Sequence, residues 1–234
     1  MELKGRLFMI ASFVPKCDCL CDVGTDHGYI PVYLVQKGIC NKALAMDINE
    51  GPIEAASENI RHFSLEDKIK TRLGNGLEPL NPGEADVIVI AGMGGILIKA
   101  ILEASLEKAK LSQTLILQPM NAIEVLREWL YCNGFEIEDE ALTNEDIKIY
   151  NAIKVKWTGA KTHYEIIDCY IGRHLVEKGG DLFKTFIKRK INQASKVIAG
   201  LKKSSEPDGV YLKLQEYLRA NYVNILSSLE GNEE

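Results

Sequence analysis

Along the first two thirds of the chain, short unbroken apolar runs alternate with stretches whose apolar residues recur every three or four positions. Leu3, Leu7, Ile10 and Val14 keep the helical spacing and stop at Pro15, which predicts a short amphipathic N-terminal helix. Apolar runs at 19–23, 42–48, 69–73, 86–91 and 114–117 read as strands, the fourth so continuously apolar that both its faces must be covered. Between them, 30–34, 52–62, 96–107 and 123–132 carry helical spacing. Asn49 or Glu50 stands near the start of the second of these, Pro52 lies in its first turn, and Asn133-Gly134 closes the last. Two extended segments, 135–142 and 150–157, flank an acidic connection at Asn144-Glu145-Asp146 and are expected to pair antiparallel at a sheet edge. Strands alternating with helices and ending in a hairpin describe an α/β fold, a doubly wound and mostly parallel sheet with a terminal antiparallel hairpin.

Past Thr158-Gly159 the pattern changes. Phe183, Ile187, Ile191, Ala194, Ile198 and Leu201 step by three and four, and Tyr211, Leu214, Leu218, Tyr222, Ile225 and Leu229 repeat the stepping after a turn at 204–209. The pattern predicts two long helices folded back on each other and a shorter helix at 166–176. It divides the chain into a domain over 1–158 and a coiled-coil-like helical domain over 159–234.

With 234 residues and 46% hydrophobic content, the chain can bury one good core plus an appendage. A net charge of -5, if evenly spread, would argue weakly against a nucleic-acid partner. It is not evenly spread, because Lys184, Lys188, Arg189, Lys190, Lys196, Lys202 and Lys203 fall between 182 and 203 with no acid among them. Such a helix either tracks phosphate or is a solvated face. The six cysteines show no pairing pattern and no leader segment is read, so a reduced, cytoplasmic setting is expected. Cys17, Cys19 and Cys21 alternate as strand-packing residues do. A zinc site would use turn spacings with a matching second pair, so no metal is expected. The apolar run at 87–98 is broken by glycines and too short to cross a bilayer, so no membrane partner is expected.

The chemistry concentrates where the first strand turns into the first sheet-covering helix, at Asp22 to Pro31 (DVGTDHGYIP). In a parallel α/β sheet a nucleotide-like ligand lies outside the carboxyl ends of the strands. The dinucleotide fingerprint needs a second glycine for pyrophosphate to approach, and Asp26 occupies that position. A carboxylate there repels pyrophosphate but tolerates a ligand with a cationic centre and an amino-acid end, and S-adenosylmethionine is such a ligand. Asp22-x-Gly24 with a further glycine at 28 is a variant of the loop that holds it. Asp47 ends the second strand, where an acid accepts hydrogen bonds from ribose hydroxyls, or caps the next helix. Asn75, between Gly74 and Gly76, suits an adenine edge or a plain turn, and Leu77 can cover the adenine face.

Asp22 to Pro31, Ile90 to Gly95 (IAGMGG), Ile116 to Pro119 (ILQP) and Arg127 to Leu130 (REWL) together resemble the bacterial TrmK family, the tRNA (adenine-22-N1)-methyltransferases. The resemblance is strong to about residue 157 and mainly architectural after it. It implies a class I, Rossmann-like methyltransferase domain using S-adenosylmethionine, with a helical tail and tRNA as partner. By position it places Gly24, Asp26, His27, Asp47, Asn75, Gly76 and Met93 around the cofactor, Tyr29 near the target base, and Arg6 as a basic residue of the N-terminal helix. The chain departs from the family pattern at Gly28 and at Asn151.

Methylation at adenine N1 needs alignment and exclusion of water more than a base, because N1 already presents a lone pair. The Asp/Asn-Pro-Pro-aromatic signature of amino-methyltransferases is absent after the fourth strand, where Ala91 to Gly95 stand instead. Asp26 is the candidate to stabilise the cationic product ring, or else it caps the following helix. Tyr29 is the candidate surface for an extruded base, or else a core residue. Lys184, Lys188, Arg189 and Lys190, with Arg6, are the candidate RNA contacts, and Arg61, Lys68, Lys70 and Arg72 can extend that surface. A monomer is expected. A small-molecule methyltransferase would need a lid, for which no long apolar insertion exists. A non-catalytic tRNA-binding protein is disfavoured by the intact Gly24, Asp47 and Asn75, and an enzyme acting on another RNA stays open.

Overall fold

The computed structural model describes residues 1–204 and 208–231. The chain divides into two compact units, 1–164 and 165–234. In the first, α1 (Gly5–Phe13) leads to β1 (Cys17–Val23), α2 (Tyr29–Gln36), β2 (Cys40–Asp47), α3 (Glu50–His62) and β3 (Ile69–Leu73). Then follow β4 (Val87–Met93), α4 (Gly95–Ala104), α5 (Leu106–Leu111), β5 (Thr114–Pro119), α6 (Ile123–Cys132), β6 (Phe135–Glu145) and β7 (Lys148–Trp157). The strands form one sheet in the order β3-β2-β1-β4-β5-β7-β6. The first five strands are parallel, and β7 runs antiparallel to both β5 and β6. This is the Rossmann-like architecture, with the reversal in strand order between β1 and β4 opening a crevice at their carboxyl ends.

The central strands carry the core. Leu20, Ala45, Val89 and Ile116 are fully buried and pack with Ile10 of α1, Val32 and Leu34 of α2, and Ile60 of α3. On α6, Arg127 is buried and its Nε and Nη2 donate to Glu140 Oε1 of β6 at 2.9 and 2.6 Å. The hairpin is longer than expected. Glu145 belongs to β6 and Lys148 to β7, so the connection shrinks to Asp146 and Ile147, with Asp146 in the left-handed region. The helix expected over 96–107 breaks at Ser105, whose carbonyl accepts from Lys108 and Ala109 to start α5. Cys17 and Cys40 are register partners with sulfurs 3.1 Å apart, while burial lifts the Cys19 thiol to about 11. No cluster of three or more His, Cys, Asp or Glu is placed to hold a metal ion among the described residues.

The first unit runs beyond the composition change at Thr158-Gly159. The Thr162 N–H donates to the Tyr131 carbonyl and Tyr164 stacks on Tyr131, which ties these residues to α6. In the second unit the short helix expected at 166–176 is two pieces, α7 (Ile166–Tyr170) and α8 (Arg173–Lys178), separated by extended Ile171. The long helices are α9 (Asp181–Lys203) and α10 (Gly209–Gly231). Phe183, Ile187 and Ala194 face Leu218 and Tyr222 as the buried seam, whereas Tyr211 is exposed despite its place in the spacing. Ion pairs Lys188–Glu230 and Lys202–Glu216 show that the two run antiparallel. The turn expected between them has its centre, 205–207, outside the described residues. No helix among the described residues is long and apolar enough to cross a membrane.

Candidate functional site

The carboxyl ends of β1, β2 and β4 open into a cavity of about 640 Å³. Asp22, Gly24, Asp26 and Tyr29 line it from the first turn, Asp47 from the end of β2, Asn75 and Gly76 from the loop after β3, and Met93 from the end of β4. Arg6 and Leu7 of α1 reach the same cavity. The first turn is built from left-handed residues, Gly24, Asp26 and Gly28 at φ 71°, 54° and 69°. Asp tolerates that region better than most side chains. The loop is tied down by Gly24 and Thr25 N–H groups, both donating to the Met46 carbonyl, and by Asn59 donating to the His27 carbonyl at 2.9 Å. Gly24 also lies against Met93, whose terminal methyl would have to shift if a Cβ were added there.

Three carboxylates face one cavity, and their environments differ. Asp22 is buried and accepts the Thr25 hydroxyl at 2.7 Å. Burial, with a smaller push from Asp47, raises its carboxyl to about 7 against the opposing Thr25 bond. Asp47 is 9% exposed and accepts the Asn49 N–H at 3.0 Å, so it shapes the entry to α3 while facing the cavity. Asp26 is 74% exposed along its side chain and makes no capping bond to α2, whose N-cap is Gly28. The helix-capping alternative for Asp26 is thereby removed. Tyr29 is 38% exposed and stacks on His27 with centroids 5.2 Å apart, which removes the core-packing alternative for Tyr29.

Two expected residues lie elsewhere. Leu77 is 1% exposed and does not line the cavity. Lys108 of α5 holds the Leu77 and Glu78 carbonyls, and the loop turns at Gly76 (φ 54°) so that Leu77 enters the core. The apolar surface it was expected to offer comes from Ile48, Leu97 and Ile101. His27 is likewise outside the lining, its ring against Tyr29 and its Nε2 3.8 Å from Asp26. Arg72 does not extend a basic surface, because both its Nη atoms are bound by Glu84, one of them at 2.7 Å to Oε2. That pair holds the Glu84 carboxyl down at about 2 and fastens the loop that carries Asn75.

Gln118 and Glu145 were not among the expected site residues, and both act on the site by holding Arg6. Gln118 is fully buried and its Oε1 accepts from Arg6 Nη1 at 3.0 Å and from the Gly92 N–H at 3.2 Å. Glu145 Oε1 accepts the Arg6 N–H at 2.6 Å, capping α1 from the hairpin. Gly5 leaves room for it, since a Cβ at Gly5 would stand 2.2 Å from that oxygen. In the second unit, Lys184, Lys188, Arg189 and Lys190 share α9, with Lys188 paired to Glu230 and Lys190 over the Phe186 ring. The basic stretch 182–203 of α9 is therefore partly neutralised by α10, and Asp181 stands in the first turn of the same helix.

Against known proteins, the methyltransferase-domain family matches residues 3–153. The tRNA (adenine(22)-N(1))-methyltransferase of Bacillus subtilis (strain 168) is 39% identical over 153 residues, 65% of this chain and 64% of that protein. The chain thus matches a little under two thirds of that relative's length. A Streptococcus pneumoniae protein solved in complex with S-adenosyl-L-methionine superposes with a TM-score of 0.83 at 33% identity, covering 94% of this chain and 98% of that one. The crystal structure of the B. subtilis M1A22 tRNA methyltransferase TrmK gives 0.81 at 28% identity, over 98% of each chain.

Proposed function

Because this chain belongs to the methyltransferase-domain family, and within it to the TrmK group, we propose that it transfers the methyl group of S-adenosylmethionine to N1 of an adenine in tRNA, adenine 22 by its relatives. The observation that carries the reading is the acidic cavity, where Asp22, Asp26 and Asp47 converge at the carboxyl ends of β1 and β2. Three carboxylates disfavour a pyrophosphate-bearing nucleotide and suit a sulfonium ligand with an ammonium group. The residues fit that ligand. Asp47 suits the ribose hydroxyls, Asn75 the adenine edge, Ile48 and Ile101 its faces, and Gly24 and Gly76 leave the backbone accessible.

S-adenosylmethionine supplies a methyl group made electrophilic by its sulfonium. The adenine N1 lone pair forms the new N–C bond as the S–C bond breaks, and the electron pair stays on sulfur, so the positive charge moves to the base. On this chain, Tyr29 offers the extruded base a flat, half-exposed surface stiffened by His27. Asp26, exposed and at the same cavity, stabilises the charge arriving on the ring. Met93 walls the pocket. No proton has to be removed before attack, because N1 already presents its lone pair.

The reading is tested by incubating the protein with S-adenosylmethionine and unmodified tRNA transcripts and mapping primer-extension stops, which N1-methyladenine causes by blocking pairing. A stop at one adenine that disappears when that adenine is replaced is expected. No stop in any transcript overturns the assignment. Asp26→Ala should lower the transfer rate by about 100-fold while changing cofactor affinity less than about threefold, in the range of a lost electrostatic stabiliser. Equal losses make Asp26 a ligand for the cofactor instead.

A further inference from the structure

We propose that Gln118 is a positioning residue which fixes Arg6 in the lining of the cavity as a clamp for the phosphate of the everted nucleotide. The proposal rests on tRNA being the substrate. Gln118 stands in a strand whose neighbours Ile116 and Leu117 are fully buried, a place where an apolar side chain would pack without cost. Its amide is instead satisfied at both ends. Oε1 takes two donors, Arg6 Nη1 and the Gly92 N–H, while Nε2 donates to the Pro119 carbonyl at 3.0 Å. Because both partners of Oε1 can only donate, the amide has one workable orientation.

Arg6 is held from three directions. Its N–H is bound by Glu145, its Nη1 by Gln118, and its guanidinium carbon stands 5.8 Å from the centre of the Tyr150 ring. Gln118 is neutral, so it orients the guanidinium without cancelling its charge, and no carboxylate pairs with that guanidinium among the described residues. A guanidinium has five N–H donors in a rigid fork, so binding one amide oxygen leaves a face for a second acceptor. That acceptor is not the reacting centre. Both the sulfonium and the methylated ring are cations, and a fixed guanidinium beside them would oppose the reaction. The anion that arrives with an everted base is its own phosphate, which a guanidinium binds in bidentate geometry.

The experiment compares the full-length wild type with Arg6→Ala, Gln118→Leu and the double variant, measuring binding of an unmodified tRNA transcript over a series of salt concentrations, steady-state kinetics and cofactor affinity. One lost phosphate contact should reduce the slope of log K against log salt by about 0.7 to 0.9 in each single variant. The KM for tRNA should rise about tenfold with cofactor affinity unchanged, about the 1.4 kcal/mol of a charged hydrogen bond. The double variant should match Arg6→Ala, because Gln118 acts through it. Should the leucine variant not fold, Gln118→Asn keeps a neutral amide but is one carbon shorter and withdraws the acceptor from Arg6, so the slope should fall by the same amount. A wild-type slope in a folded Gln118 variant, or a double variant worse than Arg6→Ala, overturns the clamp while methyl transfer by the wild type leaves the enzymatic reading standing. A wild type that neither binds nor methylates tRNA overturns both.

Discussion

Replacing Asp22 by Asn should stabilise the unliganded protein above neutral pH and remove much of its pH dependence. Asp22 is buried at the end of β1, and burial raises its carboxyl from 3.8 to about 7. In the unfolded chain the same group ionises near pH 4, so between those values the folded state holds the extra proton. The stability this contributes is fully present below about pH 4 and is lost as pH rises through about 7, at about 1.4 kcal/mol for each unit crossed. The window spans about three units, which sets a ceiling of about 4 kcal/mol before water entry and relaxation reduce it. Asparagine keeps the shape and an acceptor for the Thr25 hydroxyl but carries no charge to desolvate.

Urea denaturation of wild type and Asp22→Asn from pH 4.5 to 8.5, without ligand, measures the difference directly. The variant should gain on the wild type steadily across the window and level off above pH 8. A flat difference refutes the reasoning, because a desolvated carboxyl must cost more as it ionises. The ligand supplies a second arm. Because burial lifts Asp22 into the neutral range, binding of a cationic cofactor next to it should favour its ionised form and release protons near pH 7. Calorimetry in two buffers of different ionisation enthalpy reads that release, and Asp22→Asn should abolish it.

Other side chains give sharper structural tests. Glu140→Ala leaves Arg127 buried without its carboxylate and should cost about 3 to 5 kcal/mol in chemical denaturation, whereas a loss under 1 kcal/mol contradicts the buried pair. Asn151 is 8% exposed and both its amide atoms lack hydrogen-bond partners among the described residues, so Asn151→Leu should stabilise the protein by about 1 to 3 kcal/mol, read as a raised denaturation midpoint. Glu84 is held at about 2 by Arg72, so its contribution is present above about pH 4.5 and is lost as pH falls toward 2. Glu84→Gln should therefore flatten the decline in Tm between pH 5 and pH 3 and weaken cofactor binding through the loop bearing Asn75.

The central strands were legible because they are buried on both faces, so apolar runs such as 86–91 mark them. Asp22, Asp26, Asp47, Asn75 and Gly76 were legible for a related reason: polar and glycine residues directly after an apolar strand must lie at the sheet's carboxyl edge, and the cavity lies there. Leu77 shows the limit of that argument. Whether the residue after Gly76 faces ligand or core depends on Lys108, 31 positions away, holding its carbonyl. Gln118 and Glu145 are invisible locally for the same reason, since each acquires its role from α1, 112 and 139 positions distant. Ser105 breaks a helix inside an otherwise continuous helical pattern, which spacing does not register.

On the proposed function, the distribution of charge at the site accounts for how a chain of net charge -5 could act on a polyanion. A uniformly acidic surface would repel tRNA, and a uniformly basic cavity would repel a sulfonium and draw phosphate into its place. Here the acids Asp22 and Asp47 are the recessed groups, 4% and 9% exposed, while Arg6 enters from α1 and is held in place without losing its charge. Low local dielectric strengthens the recessed carboxylates toward a cation bound beside them, and keeps solvent from screening that attraction. If tRNA is the substrate as proposed, its phosphate is drawn to the guanidinium, while an uncharged base is free to approach the carboxylates. On the proposed reading, the exposed Asp26 repels a phosphate that the held Arg6 guanidinium attracts, so the two charges together orient the nucleotide with its ring nitrogen, rather than a phosphate oxygen, toward the methyl group.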